Sequence, residues 1–302
     1  MRKLTLILLC LIPLFGYSDD YTWWNTIHGW QPGMPSWRDW IHISPGFLGP
    51  NAMPVPDMKK GVVPSGTNLE FGMDFHFQVG DPTQDLSAKY YRSFADDRIA
   101  IELYSVIVEH FAMSDYIRDS RNARIFSGKG FADGDLYFTT LIQVIKDHKF
   151  PNTMFRMACR TASGSQIEGA RYSDSPGYYF DLSFSKEYSC KTEGMSFMPY
   201  ASAGFYSWQT NDAFNLQDDC YMYGLGADLK WKRWTVSNSL SGYSGYKHDR
   251  DRPMVYTFDV NHSLKKNIIR LQYLNGLRDW NYKTIKLSYI INLKKQPLSS
   301  RL

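Results

Sequence analysis

Asp74 and His76 stand two residues apart, with Met73, Phe75 and Phe77 between and beside them. Two residues is the repeat of an extended strand, so the carboxylate and the imidazole share one face while the apolar side chains take the other. Such a pair could do acid–base work, and with Ser163 or Ser165 from another strand it holds the components of a nucleophilic triad. The same alternation places further charges. Glu70 lies on the face of Asp74, Arg156 and Arg160 lie opposite Phe155, Met157 and Cys159, and Asp181, Asp228, Asp259 and Arg270 each interrupt an apolar series. Glu102 and Lys286 fall in with them. Charges of both signs on one interior face suit two uses: a filling of hydrogen-bonded ion pairs, or a lining that selects small ligands or ions.

These groups need strands to hold them. Every-second-residue hydrophobicity runs through Leu69 to Val79, Leu136 to Val144, Thr153 to Thr161, Tyr178 to Phe184, Tyr221 to Trp231, Trp234 to Leu240, Met254 to Leu264, Ile269 to Tyr273 and Ile285 to Leu293. Less regular strands are read at Leu86 to Phe94, Arg98 to His110 and Met198 to Trp208. The expected fold is all-β, a transmembrane up-and-down antiparallel β-barrel of about 12 strands, or about 14.

Connections fall into two lengths. Ala95 to Asp97, Lys149 to Pro151, Lys232-Arg233 and Lys265-Lys266 are short, whereas Phe111 to Asp135, Ala162 to Gly177, Gln209 to Cys220 and Lys247 to Pro253 are long. They alternate except at Ser189 to Phe197, which predicts N and C termini on the periplasmic side, with the short turns. Tyr178, Trp208, Tyr221, Tyr246 and Trp280 are expected at one membrane rim and Tyr188, Trp231 and Trp234 at the other. A soluble β-sandwich or lipocalin-like barrel would use the same period with its apolar face inward, but the polar face mixes charges with Gly, Ser and Thr as a lumen does.

Arg2-Lys3, the apolar run Leu4 to Phe15 and Gly16-Tyr17-Ser18 read as a secretory signal over residues 1–18, with the mature chain starting at Asp19. Leu9 stands before Cys10 where a lipoprotein signal needs a small residue. No later apolar run approaches the roughly 18 residues of a membrane helix. A net charge of +4 without a basic stripe predicts no nucleic-acid partner. Cys159, Cys190 and Cys220 fall at separate places in the expected barrel, so no disulfide is expected. Asp212, Asp218 and Asp219 lack the spacing of a calcium loop, and phosphate-loop and dinucleotide fingerprints are missing; no metal and no cofactor are predicted.

Residues 19–68 do not alternate. Trp23, Trp24, Trp30, Trp37 and Trp40 precede the Pro-rich stretch Ile43 to Pro56. The prolines exclude one long helix or strand, and so many indoles are costly to leave in water. Three placements are open for this segment: against the inner leaflet, inside the barrel as a plug, or docked through its tryptophans on an outer-membrane protein partner. The barrel is expected over 69–293, and a tail follows at 294–302.

Ile43 to Pro56, Thr161-Ala162-Ser163-Gly164, Ala170-Arg171-Tyr172, Ser175-Pro176-Gly177-Tyr178-Tyr179-Phe180-Asp181 and Gly204-Phe205-Tyr206-Ser207-Trp208-Gln209-Thr210-Asn211-Asp212 together resemble uncharacterised outer-membrane barrel proteins of the Bacteroidetes type. The likeness covers most of the mature chain. It implies a place in the bacterial outer membrane, with its lipid bilayer as surroundings, and it implies no catalytic residue. The tail departs from the strand-terminal aromatic on which such barrels often end. His42-x-Ser44 is superficially similar to the His-x-Ser of outer-membrane phospholipase, but it stands in the Pro-rich segment expected in the periplasm and lacks that family's surrounding residues.

The expectation is an integral outer-membrane protein without enzymatic activity. It would act as a narrow small-solute channel lined by the charged residues above, or as a structural or partner component of an outer-membrane assembly. The alternative is a lipid hydrolase with a Ser/His/Asp site.

Overall fold

The computed structural model describes residues 20–293 apart from residue 148, so the expected signal over 1–18 and the tail 294–302 lie outside the described residues. The chain forms two units, the first ending at Met34 and the second starting at Pro35. The described part of the first holds helix α1 (Thr22–His28), in which Trp24 is buried and its ring lies 4.7 Å from that of His28.

In the second unit the strands are β1 (Thr67–Phe77), β2 (Thr83–Phe94), β3 (Ile99–Ala112), β4 (Lys129–Ala132), β5 (Tyr137–Ile145), β6 (Asn152–Arg160) and β7 (Gly177–Ser185). They continue with β8 (Tyr188–Ser189), β9 (Met195–Asp212), β10 (Asn215–Trp231), β11 (Trp234–Gly245), β12 (Met254–Ser263), β13 (Asn267–Arg278) and β14 (Lys283–Leu293). Short β4 and β8 extend the pairing of β3 and β9; the other 12 strands form one antiparallel cycle, which β14 closes by pairing with β1.

Closure leaves no strand edge, so every wall backbone group can pair within the sheet and the outer surface can be apolar. Phe71, Met73, Phe138, Met157, Phe180, Leu182, Leu225, Leu271 and Leu287 are exposed there, while Glu70, Asp74, Arg156, Arg160, Asp181, Asp228 and Asp259 are buried. A soluble barrel would show the reverse. This is the architecture of an outer-membrane β-barrel. Among the described residues no helix is long and apolar enough to cross a membrane.

Three sequence expectations are corrected. Gln209 to Cys220 is not a long loop: β9 and β10 run on through it as a hairpin, with Asn215 paired to Asp212. Trp208 and Trp280 do not stand at a rim; both are buried, and their indole N–H groups donate to the carbonyls of Ile43 and Pro50 at 3.2 and 3.0 Å. The Pro-rich stretch, with His42 and Ser44, does not start at the end of the short turns. His42 and Ser44 bond to Asp249, and Arg38 pairs with Asp174, all in long connections.

From there residues 41–66 cross the interior once. At the far end Gly66 N–H donates to Ser93 Oγ beside the short β2–β3 turn, and β1 follows directly. Leu293, the last described residue, pairs with Thr67 at that same end.

The composition of the crossing segment suits this course. Pro45, Pro50, Pro54, Pro56 and Pro64 carry no N–H that would need a partner. Wall side chains take up the carbonyls: Tyr243 OH donates to Met53 O at 2.8 Å, Arg160 Nη1 to Ala52 O at 3.0 Å, Arg156 Nη1 to Asp57 O at 2.8 Å and Gln143 Nε2 to Gly61 O at 2.8 Å. Ile41, Ile43, Leu48, Ala52 and Met53 add an apolar cluster with Phe111, Tyr172, Tyr206 and Trp208 toward the long-connection end.

Candidate functional site

Strand register decides which charges meet. Asp74 on β1 stands directly between Lys286 on β14 and Asp85 on β2, and Glu70 stands opposite Lys89. Lys286 Nζ lies 2.8 Å from Asp74 Oδ2, and Lys89 Nζ lies 2.8 Å from Glu70 Oε2. Arg156 faces Asp181 across β6 and β7 with a 2.5 Å contact from Nε to Oδ2. Arg270 joins Asp259, with Nε 2.7 Å from Oδ2, and approaches Glu70 at 3.7 Å. Arg160 Nη1 reaches Asp135 at 3.0 Å and Ser173 at 2.8 Å.

The interior segment completes this lining. Lys59 Nζ lies 2.6 Å from Glu102 Oε2, Lys60 Nζ lies 2.8 Å from Asp228 Oδ1, and Asn51 Nδ2 donates to both Asp85 Oδ2 and Glu109 Oε2 at 2.7 Å. Glu70, Asp74, Glu102, Arg156, Arg160, Asp181, Asp228, Asp259, Arg270 and Lys286 thus each have a partner of opposite sign. Asp228 and Glu102 find theirs on the crossing segment rather than on the wall.

Toward the long-connection end a second network is fully buried. Arg171 Nε donates to Glu109 Oε1 at 2.7 Å, while its Nη1 donates to Asp81 Oδ2 at 2.9 Å and its Nη2 to Thr83 Oγ1 at 2.9 Å. Arg121, just past helix α2 (Asp115–Ser120), adds a 2.7 Å contact to Asp81 and a 2.9 Å bond to Tyr282 OH. Burial by itself would raise the Asp81 carboxyl, but the Arg171 and Arg121 guanidinium groups and the Tyr282 hydroxyl outweigh it and hold it at about 2.

Two cavities flank the segment around Val55, Pro56 and Asp57. The larger, about 150 Å³, is lined by carboxylates of Asp57, Glu70, Asp74 and Glu102, by the cations Lys59, Lys89, Lys286 and Arg156, and by rings of Tyr104, Tyr137 and Tyr179. The smaller, about 40 Å³, lies toward Tyr200, Asp259 and Arg270. At roughly 30 Å³ per water molecule, the larger holds a handful of waters or one small solute.

The triad alternative finds no matching geometry. His76 Nε2 lies 2.7 Å from Asp85 Oδ2 and its Nδ1 lies 2.7 Å from Thr284 Oγ1. Ser163 and Ser165 instead accept from the backbone N–H groups of Leu136 and Asp133 at 3.2 and 2.9 Å. Cys159, Cys190 and Cys220 are free thiols.

Sequence reasoning missed Asp85, Lys89, Glu109, Arg121 and Arg171, as well as Asn51, Lys59 and Lys60. For Asp85 and Lys89 a signal existed: extending the β2 alternation back to Thr83 puts both on the face of Ser87 and Tyr91. For Arg121, Arg171 and the crossing segment no periodicity exists to read.

No protein-family model matches the sequence, and no curated protein is similar to it. Solved structures do share the fold. An outer-membrane channel from Pseudomonas putida F1 superposes with a TM-score of 0.53 at 13% identity, over 80% of this chain and 100% of its own. The NanC porin gives 0.46 at 10% identity over 74% of this chain and 100% of its own, and the KdgM porin 0.45 at 9% over 74% and 99%. At such identities the likeness is one of fold.

Proposed function

We propose that this protein is an outer-membrane channel for small polar solutes, held shut in the described conformation by its own residues 41–66. One observation carries this reading. Glu102, Asp228, Asp85 and Glu109 take partners from a segment that fills the interior, and that segment is covalently continuous with the wall only at β1. Water can replace these polar contacts, and the wall left behind would be wettable where Glu70, Asp74, Arg156, Arg160, Asp181, Asp259 and Arg270 line it, while the apolar contacts of Ile41 to Met53 keep the segment seated. Displacement of the segment would open a narrow path flanked by the present cavities, and the fold shared with a known outer-membrane channel is in keeping with it.

The motifs behind the Bacteroidetes-type resemblance fit here as holding devices. Ala170-Arg171-Tyr172 supplies the guanidinium that ties Asp81 to Glu109, and Ser175 to Asp181 ends on the partner of Arg156. Full-length protein in liposomes tests the reading by swelling in small sugars or amino acids. Lys60→Glu, which sets a second carboxylate against Asp228, should speed swelling several-fold; an unchanged rate in a correctly folded variant contradicts the gate.

A second reading, a component of an outer-membrane assembly, has its own observation. Phe214 at the tip of the β9–β10 hairpin is 95% exposed and Leu216 beside it 66%. A photo-crosslinker at position 214 in cells should then give one discrete adduct, and its absence removes this reading. The tryptophan route to a partner, through Trp23, Trp24, Trp30, Trp37 and Trp40, can be tried the same way at position 23.

A further inference from the structure

The register on β1 and β2 sets two carboxylates, Asp74 and Asp85, directly opposite each other inside the barrel. Like charges in that position repel unless something between them compensates. Lys286 engages Asp74 through Oδ2 and also donates to Ser87 Oγ, and Asn51 and His76 both engage Asp85 through Oδ2. The remaining oxygens, Asp74 Oδ1 and Asp85 Oδ1, are buried without any hydrogen-bond partner. Asp74 is 4% exposed and Asp85 3%. A buried ionised oxygen without a donor is costly, and two on directly opposed residues ask for a cation.

His76 sits on the same face two residues beyond Asp74, and one ligand atom from each of Asp74, His76 and Asp85 lies within 4.8 Å of the others. We propose that these three residues form a binding site for one divalent first-row transition cation on the wall of the larger cavity. Two carboxylates and an imidazole are the donor set of a borderline ion such as Zn²⁺ or Fe²⁺, whereas Ca²⁺ and Mg²⁺ prefer oxygen alone. Thr284 Oγ1, 2.7 Å from His76 Nδ1, can accept the Nδ1 proton and so leave the Nε2 lone pair for the metal. Lys286 retains Asp74 Oδ2 and Asn51 retains Asp85 Oδ2, which leaves Oδ1 of each carboxylate for the ion. Asp74 and His76 line the cavity, so further coordination positions open toward water or a passing solute. Without a cation, His76 Nε2–H donates to Asp85 and the two Oδ1 atoms depend on water or a shared proton.

Equilibrium dialysis of the full-length, chelator-washed protein against Zn²⁺ tests the site, with Co²⁺ as a spectroscopic probe. Wild type should bind one ion per chain and show visible Co²⁺ bands. Asp85→Asn and His76→Gln, checked for native electrophoretic mobility, should weaken binding at least tenfold and remove those bands. Absence of Zn²⁺ uptake by wild type overturns the proposal, and so does undiminished binding in a folded Asp85→Asn protein, which would place the ion elsewhere. Should both variants misfold, the wild-type Co²⁺ spectrum decides: bands with imidazole coordination support the site, and their absence overturns it.

Discussion

At the residue scale, stability inside this barrel rests on charges that cannot afford to lose a partner. Arg171 is fully buried and satisfies Asp81, Glu109 and Thr83 together. Arg171→Ala would leave Asp81 with Arg121 and Tyr282 and would take from Glu109 the guanidinium that pairs it, and removing one side of a buried pair costs about 3–5 kcal/mol. Urea unfolding of the refolded barrel should show a loss of that size. Asp81 gives the pH counterpart. Its folded value of about 2 lies below the ordinary carboxylate value of 3.8, so its contribution is complete above pH ~4 and is lost as pH falls toward 2. The unfolding midpoint of wild type should drop over that window, and Asp81→Asn should flatten the drop. Much of this was open to sequence reading on the wall, where Arg156 and Asp181 betray themselves between Phe155, Met157, Phe180 and Leu182. Arg171 and Arg121 lie in irregular connections, and nothing in their neighbours says that they turn inward.

At the element scale, the strands were legible wherever lipid meets one face and the lumen the other, because only then does polarity alternate. The tips of β9 and β10 past Trp208 and before Tyr221 fall silent for the same reason: a hairpin that runs on past the wall has no lumen on either face, and Asn211, Asp212, Asn215 and Gln217 carry no period. Tryptophan has two roles that composition alone does not separate, a ring at the membrane rim or an indole N–H buried on a carbonyl, and Trp208 and Trp280 take the second. The crossing segment has a sensitive point at Gly61. Its φ is +69° and a Cβ there would stand 2.6 Å from Asn152 O and 2.8 Å from Ser185 N, both backbone atoms. Gly61→Ala should therefore loosen residues 41–66, seen as faster proteolysis within that stretch while the barrel keeps its mobility on a gel.

At the scale of the whole molecule, the barrel is a sheet turned inside out relative to a soluble one, apolar toward lipid and ionic within. Met157 is exposed between the inward-facing Arg156 and Ala158. Met157→Arg should destabilise the folded barrel in lipid by about 2–4 kcal/mol if the site lies near the bilayer midplane, and by much less in a chain that folds in water. The interior asks a different question, namely whether residues 41–66 are a permanent filling or a removable one. Planar-bilayer conductance of the full-length protein beside a form lacking residues 20–64 answers it most directly. The gated-channel account predicts silence or brief openings from the full chain and steady conductance from the shortened one. A shortened barrel that inserts with native mobility yet stays silent, or a full-length chain that conducts just as well, would contradict it.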